Sequence, residues 1–130
     1  MSLLWMIDDS LSNLAVAEAT AALVPRWNFA GHASGAEGVA AFRAAARQPK
    51  TLPDAVLIDF YLGDTTGDRV AMTLRALAPP GWRGLLIGHS SVAAMSRAIV
   101  AAGADMVLRK RSDERGINPD LLAWLGQPRL

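Results

Sequence analysis

The chain has no cysteine, which rules out a disulfide framework and thiolate metal sites and makes a cytosolic protein the expectation. It has almost no excess of charge. Thirteen basic residues against 12 acidic ones leave a formal charge of +1, which points to neither nucleic acid nor an anionic membrane as a partner. Long apolar runs are missing too: no stretch approaches the ~20 residues of a membrane span. Met1-Ser2 offers no basic region ahead of the first apolar stretch, so no signal peptide is expected. There is no internal repeat and no low-complexity segment. What remains is a chain of 130 residues, 52% hydrophobic, which fits one domain over residues 1–130 with enough apolar content for a core.

The most informative stretch is Ala55-Val56-Leu57-Ile58-Asp59, an apolar run ending in a carboxylate and followed by a turn at Tyr61-Leu62-Gly63-Asp64. Such a run reads as a buried parallel strand. Leu3 to Ile7 is a second run of this kind and leads into Asp8-Asp9. The remaining strands are expected at Asn28–Gly31, Leu85–Gly88 and Met106–Leu108. Helices are expected over about 12–23, 34–47, 68–78, 92–102 and 118–125. Ser10 or Ser12 caps the first, Gly103 stops the fourth, and Asn118-Pro119 opens the last. Helical spacing puts Val16, Ala19 and Leu23 inward, then Val39, Phe42 and Ala46, then Val70, Leu74 and Leu77, then Val92, Met95 and Ile99, and finally Leu121, Leu122 and Leu125. Residues 48–53 read as a loop. Trp5 should be buried, Trp27, Trp82 and Trp124 should lie in the core or at subunit contacts, and His32 should lie on the surface.

Five strand–helix repeats predict an α/β fold, a doubly wound five-stranded parallel sheet. The expected strand order is the flavodoxin-like 2-1-3-4-5. That order makes strands one and three neighbours, so Asp8, Asp9 and Asp59 meet at the carboxyl edge of the sheet. Strands four and five deliver His89-Ser90 and Lys110 to the same edge. Clustered carboxylates raise one another's pKa unless a cation is present, and oxygen-only donors suit a hard ion such as Mg²⁺.

With Asp8-Asp9, Asp59, Gly67, Gly103-Ala104-Asp105 and Lys110 in this order and spacing, the chain resembles the response-regulator receiver domains of two-component signalling over nearly its whole length. The resemblance implies that Asp59 is the phosphoacceptor. It implies that Asp8, Asp9, Asp59 and the Tyr61 backbone carbonyl hold Mg²⁺, and that Lys110 pairs with the phosphoryl oxygens. The implied donor is a sensor histidine kinase or a phosphotransfer protein. A downstream protein partner follows, which the sequence does not name, and a homodimer is compatible with it. Three positions depart from the pattern. The family closes strand four with a Thr or Ser that contacts phosphate. Ungapped counting from Asp59 puts that slot at His89, and a one-residue gap in the loop 79–83 puts it at Ser90, which chemistry favours. The strand-five aromatic is Val107, and the proline after the lysine is Arg111.

The function expected is therefore that of a phosphorylation-controlled switch and not of a turnover enzyme. A phosphorylation-independent binding module on the same fold is the alternative. A haloacid-dehalogenase type of phosphatase is a third reading, but it wants Asp-x-Asp after the first strand, where this chain has adjacent carboxylates. For Asp8, Asp9 and Asp59 taken singly, the plainer roles are helix capping and turn formation. For Lys110, within Arg109-Lys110-Arg111, the plainer role is a solvated basic face.

Overall fold

Alternation along the strands sets the two faces of the sheet. The computed structural model describes residues 1–128, and the last two residues of the expected 1–130 domain lie outside the described residues. Among the described residues, five strands pair in parallel: β1 (Ser2–Ile7), β2 (Trp27–His32), β3 (Ala55–Ile58), β4 (Leu85–Gly88) and β5 (Met106–Val107). Their order is β2-β1-β3-β4-β5, as expected. The helices are α1 (Leu11–Ala22), α2 (Gly35–Ala46), α3 (Gly67–Leu77), α4 (Ala93–Ala101) and α5 (Pro119–Leu125).

Successive strand residues point to opposite faces. Trp5, Ile7, Val56, Ile58 and Leu86 pack with Phe42, Val70, Leu74 and Ile99 from α2, α3 and α4. Leu4, Met6, Ala55, Leu57 and Ile87 pack with Ala17, Ala21, Leu121 and Leu125 from α1 and α5. The helices thus divide three to one face and two to the other. Register carries β1 into β3 at Ile7↔Ile58 and β3 into β4 at Ile58↔Gly88, which brings the next residues, Asp8, Asp59 and His89, to one edge.

The helix faces differ from expectation at two places, for a shared reason. On α1 the buried residues are Ala17, Thr20 and Ala21, not Val16, Ala19 and Leu23; Leu23 is exposed. Thr20 can be buried because its hydroxyl donates to the Val16 carbonyl (2.7 Å) and accepts the Asn118 N–H (3.0 Å). On α4, Val92 is an exposed N-cap residue, and Ser96 is buried in its stead, hydrogen-bonded to the Ser90 backbone. A satisfied hydroxyl is as compatible with burial as a methyl group, so ranking by apolarity alone misplaces both faces. His32 is half-buried, not on the surface, with its ring edge-on to Trp5 at 4.5 Å. The expected loop 48–53 contains a short 3-10 turn at Pro49–Thr51. Trp5 and Trp27 are buried, and Trp27 packs on Trp124.

Candidate functional site

Four strand ends converge at the carboxyl edge of the sheet, the usual ligand crevice of an open α/β fold. Met6, Leu57, Ile87 and Leu108 all face α1 and α5. Two residues further on, the same parity sends Asp8, Asp59, His89 and Lys110 into one place. Asp8 is fully buried and Asp59 is 6% exposed, while Asp9 is exposed. Carboxylate oxygens of Asp8, Asp9 and Asp59 lie within 4.8 Å of one another. The Lys110 Nζ bridges two of these residues, at 2.9 Å from Asp59 Oδ1 and 3.1 Å from Asp8 Oδ2.

The two buried acids are held by their surroundings. Asp8 Oδ1 accepts the Ser10 N–H at 2.9 Å, and the Asn13 amide leans on both Asp8 oxygens at 3.3–3.4 Å. Ser10 in turn caps α1 through the Asn13 N–H. Burial pushes the Asp59 carboxyl up, with Lys110 opposing and the Asp8 charge reinforcing. Burial works against the Lys110 ammonium, but pairing with Asp59 and Asp8 outweighs it and leaves the pKa raised. Gly67 is required by close approach: a Cβ there would collide with the Asp59 carbonyl oxygen, and its N–H donates to the Phe60 carbonyl at 2.7 Å.

Three carboxylates against one ammonium leave the cluster two negative charges in excess when all are ionised. All its donors are oxygens. That donor set and that charge fit a hard divalent cation. Tyr61, the source of the implied carbonyl ligand, follows in the next loop and bridges to Thr66.

His89 and Ser90 have separate surroundings. His89 is the residue in register with Asp59, its N–H donating to the Ile58 carbonyl at 2.9 Å. Its ring is 1% exposed, and burial brings its pKa down to about 4. A carbonyl can only accept, so the 2.8 Å contact with the Leu108 oxygen fixes the proton of the neutral ring on Nδ1. The ring lines a cavity of about 230 Å³ between α1 and α5, shared with Asn13, Lys110 and Asn118. Ser90 belongs to the opposite parity. Its Oγ accepts the Val92 N–H at 3.1 Å at the start of α4.

Comparison with solved structures identifies the architecture. A response-regulator receiver protein from Methanospirillum hungatei aligns at 21% identity and TM-score 0.73, over 96% of this chain and 90% of its own. The chain has the receiver fold. The receiver domain of the response regulator NarL from Mycobacterium tuberculosis aligns at 18% identity and TM-score 0.73, over 95% of this chain and 92% of its own. A Burkholderia pseudomallei response regulator, solved with a phosphorylated aspartic acid, a calcium ion and citrate, aligns at 20% identity and TM-score 0.66, over 88% of this chain and 63% of its own. No family model and no curated protein matches the sequence.

Two contributors to the receiver-like site have no motif of their own. Asn13 is a polar residue in the first turn of α1, and the tight turn from β1 into α1 brings its amide back to Asp8. Asp64 reads as a turn residue, yet its carboxylate reaches α2. An acid beside a glycine in a loop is too common a pattern to flag the role of Asp64.

Proposed function

We propose that residues 1–130 act as a single receiver domain that accepts a phosphoryl group on Asp59 and thereby changes which protein it binds. The donor is the phosphohistidine of a sensor histidine kinase or phosphotransfer protein. A carboxylate oxygen of Asp59 attacks phosphorus, the P–N bond breaks, and the imidazole nitrogen leaves with the electron pair. Lys110, already 2.9 Å from Asp59, pairs with the phosphoryl oxygens as charge builds on them. Asp8, Asp9, Asp59 and the Tyr61 carbonyl would hold Mg²⁺, which supplies further positive charge to those oxygens. Ser90 Oγ accepts the Val92 N–H and keeps its own O–H to donate, whereas His89 stands in register with Asp59. The domain is a cytoplasmic signalling module and not a turnover enzyme, and its output is a contact with a downstream protein or a second copy.

The observation that supports this reading most is the convergence of a nearly buried Asp59 with an ammonium and two further carboxylates at the end of the central strand. Acetyl phosphate with Mg²⁺ should add one phosphoryl group by intact mass, and Asp59→Asn should take none. Equal labelling of that variant refutes the assignment.

A second reading has its own support. Lys110 already pairs with both Asp8 and Asp59, and a buried His89 stands opposite Asp59 where the family has a hydroxyl. A binding module that works without phosphorylation would look the same. It predicts a parent chain that stays unlabelled by acetyl phosphate while still capturing its partner.

A further inference from the structure

The loop between β3 and α3 carries Tyr61 and lies against Asp9 of the carboxylate cluster; it is anchored by the buried Leu62 and the Tyr61–Thr66 bridge, and its tip at Gly63 and Asp64 is exposed. Residues 60–66 contain no proline, and Gly63 takes φ +77°, where glycine moves freely. Its internal bonds are few: the Leu62 N–H to the Thr65 carbonyl at 3.2 Å, and the Gly67 N–H to the Phe60 carbonyl. On its inner side Gly63 lies so near Asp9 that a Cβ would sit 3.4 Å from Oδ2. On its outer side Asp64 reaches across 29 positions of sequence to α2. There Oδ1 accepts the Gly35 N–H at 3.0 Å and Oδ2 accepts the Ala36 N–H at 2.9 Å. The fit is tight, since a Cβ on Gly35 would meet the Thr65 methyl group.

α2 has local capping of its own in addition to the two N–H groups that Asp64 accepts. Ser34 caps it through the Glu37 N–H at 3.0 Å, and Glu37 reaches back to the N–H of Ala33, one residue before the cap, at 3.0 Å. What the long-range bonds from Asp64 add is a fixed distance between that helix and the loop. Those two donors also hold the Asp64 carboxyl below the usual range, so it stays an acceptor.

We infer that Asp64 is a positioning residue for the cation site: it clasps the β3–α3 loop to the start of α2 and so keeps Gly63 beside Asp9 and fixes the loop that carries the Tyr61 carbonyl. The inference rests on the Mg²⁺ reading above. It differs from a purely structural cap in its consequence, because the loss should appear in cation affinity and loop protection before it appears in the stability of α2.

Three variants separate these roles. Mg²⁺ is titrated against each by amide shifts, and amide exchange is followed without the ion. Asp64→Ala should weaken Mg²⁺ binding about tenfold, the low end of what removing an outer partner of a metal site costs. It should also speed exchange at Leu62 and Gly67. Asp64→Asn, with one acceptor oxygen left, should fall between Asp64→Ala and the parent. Ser34→Ala removes a cap of α2 without touching the loop, so it should lower the melting temperature yet leave Mg²⁺ affinity unchanged. Parental Mg²⁺ affinity in Asp64→Ala overturns the inference, as does an equal loss in Ser34→Ala. A parent chain that takes up no Mg²⁺ refutes the cation reading itself, and this inference falls with it.

Discussion

Replacing Lys110 with methionine keeps the aliphatic stem and deletes only the ammonium. In the parent that ammonium lies 2.9 Å from Asp59 and 3.1 Å from Asp8 and is largely shielded, its side chain 17% exposed. At an effective dielectric of about 20, each contact is worth roughly 5–6 kcal/mol before desolvation. Returning the lysine to water recovers several kcal/mol of that, and removing one partner of a buried pair costs a net ~3–5 kcal/mol. Asp59 can relieve part of the loss by taking a proton, so we expect ~3 kcal/mol at about pH 7.5, or a melting temperature about 10 °C lower. The pH dependence has a definite sign. Burial already raises the Asp59 pKa, with Lys110 opposing. A raised carboxyl contributes stability that is present in full below its unfolded pKa and is lost as pH rises through its folded pKa. Without Lys110 the folded pKa climbs further, so the loss starts at the same unfolded pKa but runs on to higher pH and grows larger, and the variant should recover stability on acidification toward about pH 5. Thermal unfolding followed by circular dichroism at both pH values tests this, without added divalent ions. A Lys110→Met chain that melts with the parent at the higher pH, or shows the same deficit at both, refutes the argument.

Gly67→Ala should destabilise by ~1–3 kcal/mol through overpacking against the Asp59 carbonyl, and should slow phosphoryl uptake; parental stability in denaturant would show that the loop yields. Thr20→Val strands the buried Asn118 N–H and should cost ~1–3 kcal/mol, so an unchanged denaturation midpoint would refute the role given to that hydroxyl. Beryllofluoride, standing in for the phosphoryl group on Asp59, should shift amides most at Asp59 and over residues 87–94. The effect should fade before Val107, which is 41% exposed and stiff at χ1. Equal shifts along β5 and α5 would show that the change propagates without an aromatic residue.

Strand order and the acidic cluster were legible because both follow from one-dimensional signals. Apolar runs of four or five residues mark buried parallel strands, and a carboxylate at the end of two such runs needs only the strand order to become a cluster. Lys110 was legible for the same reason, its parity continuing that of Met106 and Leu108. The inward faces of α1 and α4 were not, because Thr20 and Ser96 are buried through bonds to Asn118 and Ser90 that no local pattern announces. His32 was misjudged because its cover is Trp5, on the neighbouring strand. The choice between His89 and Ser90 turned on a gap in the loop 79–83. Register sets His89 opposite Asp59 and leaves Ser90 with α4, which agrees with the ungapped count and not with the one-residue gap that chemistry favours.

Lys110 and Asp8 meet across 102 positions of sequence, and this has a consequence for how the protein is made. Closing so long a loop is entropically costly and late. The cluster has its full set of partners only when β1, β3 and the segment after β5 have found one another. A chain still emerging from the ribosome, or one lacking the segment that carries Lys110, would present Asp59 without its ammonium. On the proposed phosphoacceptor reading, competence to accept a phosphoryl group would also report that the sheet is complete.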